Sequence, residues 1–341
     1  MDGIAANLQA VLDALAEPGL IVAGGAVRGA NPAARALLGP HILGQDVRLA
    51  IRHPAAVERL LPGLEARPQE IDISGIGGAE RRWLMNLAPL GDGSVLVRLF
   101  DRSEAHAAER MRVDFVANAS HELRTPLATL VGYAETLREQ GAELDPGTRE
   151  RFTAIVHDEA RRMQRLVEDL ISLSRIEAER FSPPTEALSL AEIVADVCAG
   201  CRRMAEERGS ELRTQIEPDL PLVPGDQSQL LQVVDNLVGN ALRYGRAGTP
   251  VAVSVSRQGP NIHLSVADEG EGIAAEHIPR ITERFYRVDA SRSRSLGGTG
   301  LGLSIVKHIV ERHRGHLRFD SEVGKGTTVH VLLPAAGEAS S

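Results

Sequence analysis

Three things are scarce in this chain of 341 residues: cysteine, long apolar runs and positive charge. Formal net charge is −8, with 38 Lys and Arg against 46 Asp and Glu. Binding to nucleic-acid phosphates takes a clustered cationic excess, so the balance argues against a nucleic-acid binder. No apolar run approaches the roughly 20 residues that a bilayer-crossing helix requires. The opening "MDGIAANLQAVLDALAEPG" also lacks the basic start of a secretion signal, so the chain as given is expected to be cytoplasmic, with no membrane segment. The two cysteines, Cys198 and Cys201, form a CxxC inside the amphipathic stretch "LAEIVADVCAGCRRMAEERG" with no second ligand pair near it. They read as small helix residues in a reducing compartment and not as a zinc or redox site.

What is present is enough apolar material for several cores. Hydrophobic residues make up 43% and charged residues 25%, a globular composition, and the length suggests two or three domains. Residues 1–101 alternate short apolar runs with turn signals. "GLIVAGGAVRGAN" reads as a hairpin around Gly24 and Gly25, and "RRWLMNLAPLGDGSVLVRLFD" as two strands joined at Gly91 to Gly93, with short helical pieces between. This order of helix, hairpin, helices and late strands resembles a PAS sensor domain, an α+β fold.

The period changes near residue 102. Val113, Val116, Ser120, Leu123, Leu127, Leu130, Ala134 and Leu137 recur at alternating steps of three and four, the seam of a helical bundle. His121 lies one residue off that seam, on its flank, and Pro126 sits inside the run. "GAELDPGTRE" breaks the helix, and a second one is expected over 148–178 with Phe152, Val156, Met163, Leu166, Leu170 and Leu173 inward. The segment 102–180 is therefore a helical hairpin. One hairpin leaves a wide apolar face open, and two closing into a four-helix bundle would cover it, so a homodimer is expected.

"FSPPTE" is a stiff linker into a last domain over 186–335, where helices near 190–208, 226–244 and 301–312 alternate with strands, and residues 336–341 form a disordered tail. Alternating strand faces imply an antiparallel or mixed sheet with helices on one side. Three features of this domain point to one ligand. Asp268 of "VADEGEGI" ends a strand beside Gly270 and Gly272. Gly298, Gly300 and Gly302 of "GGTGLGLS" open a helix, where unpaired N–H groups attract phosphate. Asn236 and Asn240 of "DNLVGNALRY" stand one turn apart, two carboxamides able to offer oxygen to a hard cation such as Mg²⁺. Each signal alone is commonplace, and their order is what carries weight.

"SHELRTPL", "NLVGNALRY", "DEGEGI", "ERFYRVD", "GGTGLGLS" and "GKGTT" resemble, in order, the H, N, G1, F, G2 and final glycine boxes of two-component sensor histidine kinases. "ITERFYRVDASRSRSLGGTGLGLSIVKHIVERH", with Thr282 where the F box commonly has phenylalanine, is similar to the phosphate-regulon subgroup. The resemblance implies an α/β-sandwich ATP-binding domain of the GHKL type and a dimeric phospho-acceptor hairpin. It implies that His121 is phosphorylated by ATP, that Glu122 orients the imidazole and takes its proton, and that Thr125 positions a water for dephosphorylating the partner, a response-regulator receiver domain. For the substrate ATP it implies Asp268 at the adenine amino group, Asn240 at Mg²⁺ with Asn236 nearby, and Arg243, in place of a commoner lysine, with Tyr244 at phosphate and ring. Arg287 is implied at the γ-phosphate, and Gly270, Gly272, Gly298, Gly300, Leu301, Gly302 and Thr327 around the nucleotide. The segment 287–300 is implied to be a mobile lid. A scaffold with a degenerate kinase core, or another ATPase of the same nucleotide fold, is opposed by the intact boxes and by the histidine hairpin.

Overall fold

The computed structural model describes residues 2–60, 69–90, 93–179, 181–289 and 298–337. Residues 91–92 of the expected glycine turn, 290–297 of the expected lid and 338–341 of the expected tail lie outside them. The chain divides into two compact units, 1–116 and 117–341.

The first unit is a five-stranded antiparallel sheet in the order β2-β1-β5-β4-β3, with β1 Gly19–Ala23, β2 Ala26–Ala30, β3 Gln69–Ser74, β4 Arg82–Leu90 and β5 Ser94–Asp101. Helix α1 (Asp2–Asp13) precedes the sheet, and α2 (Pro32–Leu38), α3 (Val47–Ala50) and α4 (Pro54–Leu60) lie between β2 and β3. Gly24 and Gly25 take φ of 58° and 77°. Two successive positive φ values are what a two-residue hairpin turn needs, and glycine adopts them without steric cost. The core gathers Leu20, Val22, Val27, Met85, Leu87, Val97 and Leu99 from the sheet and Ala34, Val47 and Ile51 from the helical side. Asn31, fully buried, caps α2 through Ala34 N at 2.8 Å and accepts from Gly19 N at 3.0 Å, while its amide donates to the Leu15 and Glu17 carbonyls. Strand β3 was not expected from sequence. "QEIDIS" offers only Ile71 and Ile73 among polar residues, and it is an edge strand, with one neighbour to satisfy.

The second unit holds most of helix α5 (Ser103–Gln140) and all of α6 (Pro146–Ala178). Asp145 caps α6 by accepting from Thr148 N at 2.9 Å, with Pro146 at the first helical position where no N–H is needed. The two helices run antiparallel: Tyr133 meets Phe152 edge-on with ring centroids 4.8 Å apart, and Arg162 meets Glu122. Pro126 is buried and α5 continues through it. The seam residue Leu127 is 51% exposed and its neighbour Val131 48%, with Val167 and Ile171 of α6 also open, so an apolar face is left on the hairpin.

After the linker, β6 (Glu186–Leu188) pairs with β8 (Val223–Gly225) in a two-stranded sheet that the sequence did not announce. The main sheet has the order β11-β12-β10-β9-β7, with β7 Leu212–Ile216, β9 Val251–Gln258, β10 Asn261–Asp268, β11 His316–Glu322 and β12 Gly326–Pro334. It is mixed, since β7 runs parallel to β9 and all other pairs are antiparallel. Val253, Val255, Ile262, Leu264 and Val266 alternate inward beneath α7 (Leu190–Glu207), α8 (Gln227–Tyr244) and α9 (Gly302–Arg312). Asp226 is the cap of α8 and accepts from Gln229 N. Cys198 and Cys201 are free and buried on α7, and burial pushes both thiols up, which suits inert packing residues. Helix α6 packs against α9, where Leu173 and Ile176 are fully buried.

Candidate nucleotide and phospho-acceptor site

Between α8, the ends of β10 and β12, and the start of α9 lies a cavity of about 490 Å³, a size typical of small-ligand sites. At its sheet side, Asp268 ends β10 opposite Thr327 of β12. The Asp268 carboxylate accepts from Gly270 N at 2.8 Å. Burial pushes its pKa up, opposed by backbone hydrogen bonds from Gly270 and Thr327. A half-buried acceptor at the foot of a cavity is placed to read a donor on a flat, apolar ligand. The glycines keep this floor low. A Cβ on Gly270 would stand 2.6 Å from the Tyr244 carbonyl and 2.7 Å from Asp268 Oδ1, and one on Gly272, at φ 70°, would meet the Glu322 carbonyl.

The opposite end is built from α8 and the start of α9. Asn240 Oδ1 accepts from Arg243 Nη2 at 3.3 Å, and Asn236 donates to the Gln232 carbonyl at 3.0 Å. A Cβ on Gly302 would stand 2.6 Å from Asn236 Oδ1, so glycine there lets α9 begin against α8 without displacing the Asn236 carboxamide. Gly300 has φ 76°, and its carbonyl accepts from Phe285 N at 2.8 Å. This folds the F-box segment back onto the start of α9 and delivers Arg287 to the cavity wall. Tyr286 also lines the wall, its hydroxyl 2.7 Å from His277 Nδ1 and Arg280 over its ring at 4.3 Å. Among the described residues no cluster of three His, Cys, Asp or Glu could hold a metal. The donors here are carboxamide oxygens, which suit a cation that brings phosphate and water ligands with it, as Mg²⁺ does.

Arg287 links this cavity to the hairpin. Its side chain is 6% exposed; Nη2 donates to Glu122 Oε2 at 2.8 Å and to the Thr299 carbonyl at 2.8 Å, while buried Nε has no partner among the described residues. Glu122 also accepts from Arg162 Nη2 at 3.4 Å. Its carboxylate is thus engaged by two guanidiniums and not by the ring of His121, which is exposed. Thr125, also exposed, donates its hydroxyl to the His121 carbonyl at 3.4 Å.

Of the residues singled out from sequence, Asn236, Asn240, Arg243, Tyr244, Asp268, Gly272, Arg287, Gly298, Gly300, Gly302 and Thr327 line the cavity. Gly270 is tucked under Asp268, and Leu301 is fully buried in the core beneath the glycine turn. His121, Glu122 and Thr125 stand on α5. Sequence reading missed Arg165, Glu168 and Asp169 of α6, which also line the cavity. Asp169 accepts from Thr299 Oγ1 at 2.6 Å, and burial pushes its carboxyl up.

A glycine-floored cavity of small-ligand size, one of whose wall arginines bonds Glu122 beside the exposed His121, suits a nucleotide-using enzyme. Comparison with known proteins agrees. The family described as "Histidine kinase-, DNA gyrase B-, and HSP90-like ATPase" matches residues 225–337, and "His Kinase A (phospho-acceptor) domain" matches 111–179. The chain belongs to the sensor histidine kinase family and is a protein-histidine kinase that uses ATP.

Within that family it is similar to the phosphate regulon sensor protein PhoR of Pseudomonas aeruginosa, with 34% identity over 333 residues, 94% of this chain and 74% of PhoR. It is 37% identical to the sensor protein SrrB of Staphylococcus aureus over 244 residues, 72% of this chain, and spans only 42% of SrrB. The fold is also that of the Acinetobacter baumannii histidine kinase AdeS, at a TM-score of 0.52 and 24% identity over 64% of this chain and 98% of that one.

Proposed function

We propose that His121 is the phospho-acceptor and that ATP is bound with its adenine amino group on Asp268 and its phosphates toward Asn240, Arg243 and Arg287. The observation that carries this reading is the bond between Arg287, a wall of the cavity, and Glu122, the residue after His121. The neutral imidazole attacks the γ-phosphorus as the bond to the ADP oxygen breaks, and Glu122 takes the ring proton. Arg287 stabilises the charge that gathers on the transferring phosphoryl group. Mg²⁺, held by the Asn240 oxygen with Asn236 nearby, would screen the phosphate charges.

The phosphoryl group then passes to an aspartate of a response-regulator receiver domain, and Thr125 serves the reverse task of dephosphorylating that regulator. The open apolar face around Leu127 and Val131 supports a homodimer closed into a four-helix bundle. The first unit's helix, hairpin, helical segments and three further strands support a PAS-like sensor domain, and the likeness to PhoR supports a place in phosphate-starvation signalling. No helix among the described residues is long and apolar enough to cross a membrane.

Incubation with γ-labelled ATP tests the acceptor. The label should be acid-labile and base-stable, and His121→Gln should bind a nucleotide analogue as wild type does yet take up no label. Labelling of His121→Gln at the wild-type rate would sink the assignment.

A further inference from the structure

We propose that Arg162 is a positioning residue for autophosphorylation: it holds Glu122 by one oxygen so that the other is free for His121 once ATP draws Arg287 away. The inference rests on His121 being the acceptor. Arg162 is a buried charge on α6, its side chain 9% exposed, and it reaches two carboxylates, Glu122 Oε2 at 3.4 Å and Glu159 Oε1 at 3.1 Å. A guanidinium taken out of water is stable only with such partners, and flanking glutamates fix where it points. Glu122 has a second guanidinium, Arg287, whose Nη2 takes Oε2 at 2.8 Å and whose Nη1 faces Oε1 at 3.5 Å.

The two arginines are not equivalent. Arg287 lines the nucleotide cavity and has a buried Nε with no partner among the described residues, so an incoming phosphate offers it a stronger, doubly bonded site. Arg162 belongs to the same hairpin as Glu122, and Glu159, one turn before it, anchors it there. When Arg287 moves to phosphate, Arg162 keeps Oε2, and Oε1 becomes the free base. Successive helix residues point about 100° apart, so without that hold Glu122 has no fixed path to the ring of His121. Arg162 touches neither phosphate nor imidazole in this scheme and acts through Glu122.

A double-mutant cycle tests it. Initial autophosphorylation rates of the full chain are measured over a range of ATP concentrations for Arg162→Gln, Arg162→Lys, Glu122→Gln and the two double variants, alongside thermal unfolding. Arg162→Gln should lower kcat about tenfold, the scale expected for a misplaced base, with KM for ATP within about twofold, and Arg162→Lys should recover most of the loss. In the Glu122→Gln background neither substitution at 162 should change the rate further. An equal loss in that background, a loss carried by KM, or no loss at all would overturn the proposal. If Arg162→Gln melts early, the Arg162→Lys arm of the cycle decides, because its smaller loss must likewise vanish with Glu122→Gln. Failure of the underlying reading would show separately, as label on His121→Gln.

Discussion

Asp268 is the residue on which the proposed nucleotide recognition turns, and its surroundings set its pH response. Burial raises its pKa above the ordinary 3.8 and two backbone donors pull it back. As pH falls through that raised value the carboxylate gains a proton and loses acceptor strength, so affinity for an ATP analogue should weaken on the acid side sooner than for an ordinary aspartate. Asp268→Asn should bind the analogue at least about tenfold more weakly at pH 7.5, since a polar partner is left mispaired. It should also lose the acid limb, and calorimetric titration at several pH values reads both. An Asn variant that keeps wild-type affinity would move the adenine site elsewhere. At this scale the sequence was legible where a residue stood inside an ordered set of motifs. Asp268 before two glycines and His121 before Glu122 stood out; Arg162 and Asp169 did not, because charged residues on a helix are ordinarily solvated.

The element scale explains why those two escaped. Arg162, Leu166, Asp169, Leu173 and Ile176 follow one another at steps of four and three, a single stripe along α6, and all are buried or half-buried. Two charges on an otherwise apolar stripe were a signal: Leu166 and Leu173 of that stripe were read as inward along with Met163 and Leu170, but Arg162 and Asp169 beside them were not. That the stripe stays buried at Leu173 and Ile176 depends on the docking of α9, which no local pattern reveals. Strands β3 and β6 were missed because β3 sets only Ile71 and Ile73 among polar residues and β6 is three residues long.

Two activities are proposed within one turn of helix α5, and they should separate. Thr125 donates only to the His121 carbonyl among the bonds seen, whereas Glu122 meets Arg287 of the nucleotide wall. Thr125→Ala should keep autophosphorylation within about threefold and lose at least about tenfold in dephosphorylation of the cognate regulator, as loss of a positioned water would. Paired rate measurements decide it. Loss of both activities together would make Thr125 a structural residue, its hydroxyl bonded to the His121 carbonyl in the turn that Pro126 interrupts.

For the whole molecule, the open face of the hairpin is the proposed dimer contact. Leu127 and Val131, each about half-exposed at the middle of α5, are one turn apart on that face. Leu127→Glu with Val131→Glu should convert a dimer to a monomer in light scattering, because like charges would meet across the seam of a bundle. An unchanged dimer would place the contact on another surface. The broad plan of the molecule was legible because a period of three and four, a proline linker and alternating strands follow one another along the chain. How the hairpin docks on the nucleotide domain was not, since it rests on long-range pairs such as Glu122 with Arg287 and Glu179 with Arg312.

Whether ATP held at Asp268 and Asn240 phosphorylates His121 is decided by locating the phosphoryl group. The chain is incubated with ATP and Mg²⁺, kept at alkaline pH, digested and sequenced by fragmentation that preserves phosphoramidate bonds, beside Asn240→Ala. The group is expected on His121 in the wild type, with none in Asn240→Ala. A phosphoryl group on another residue, or on His121 in both proteins alike, would contradict it.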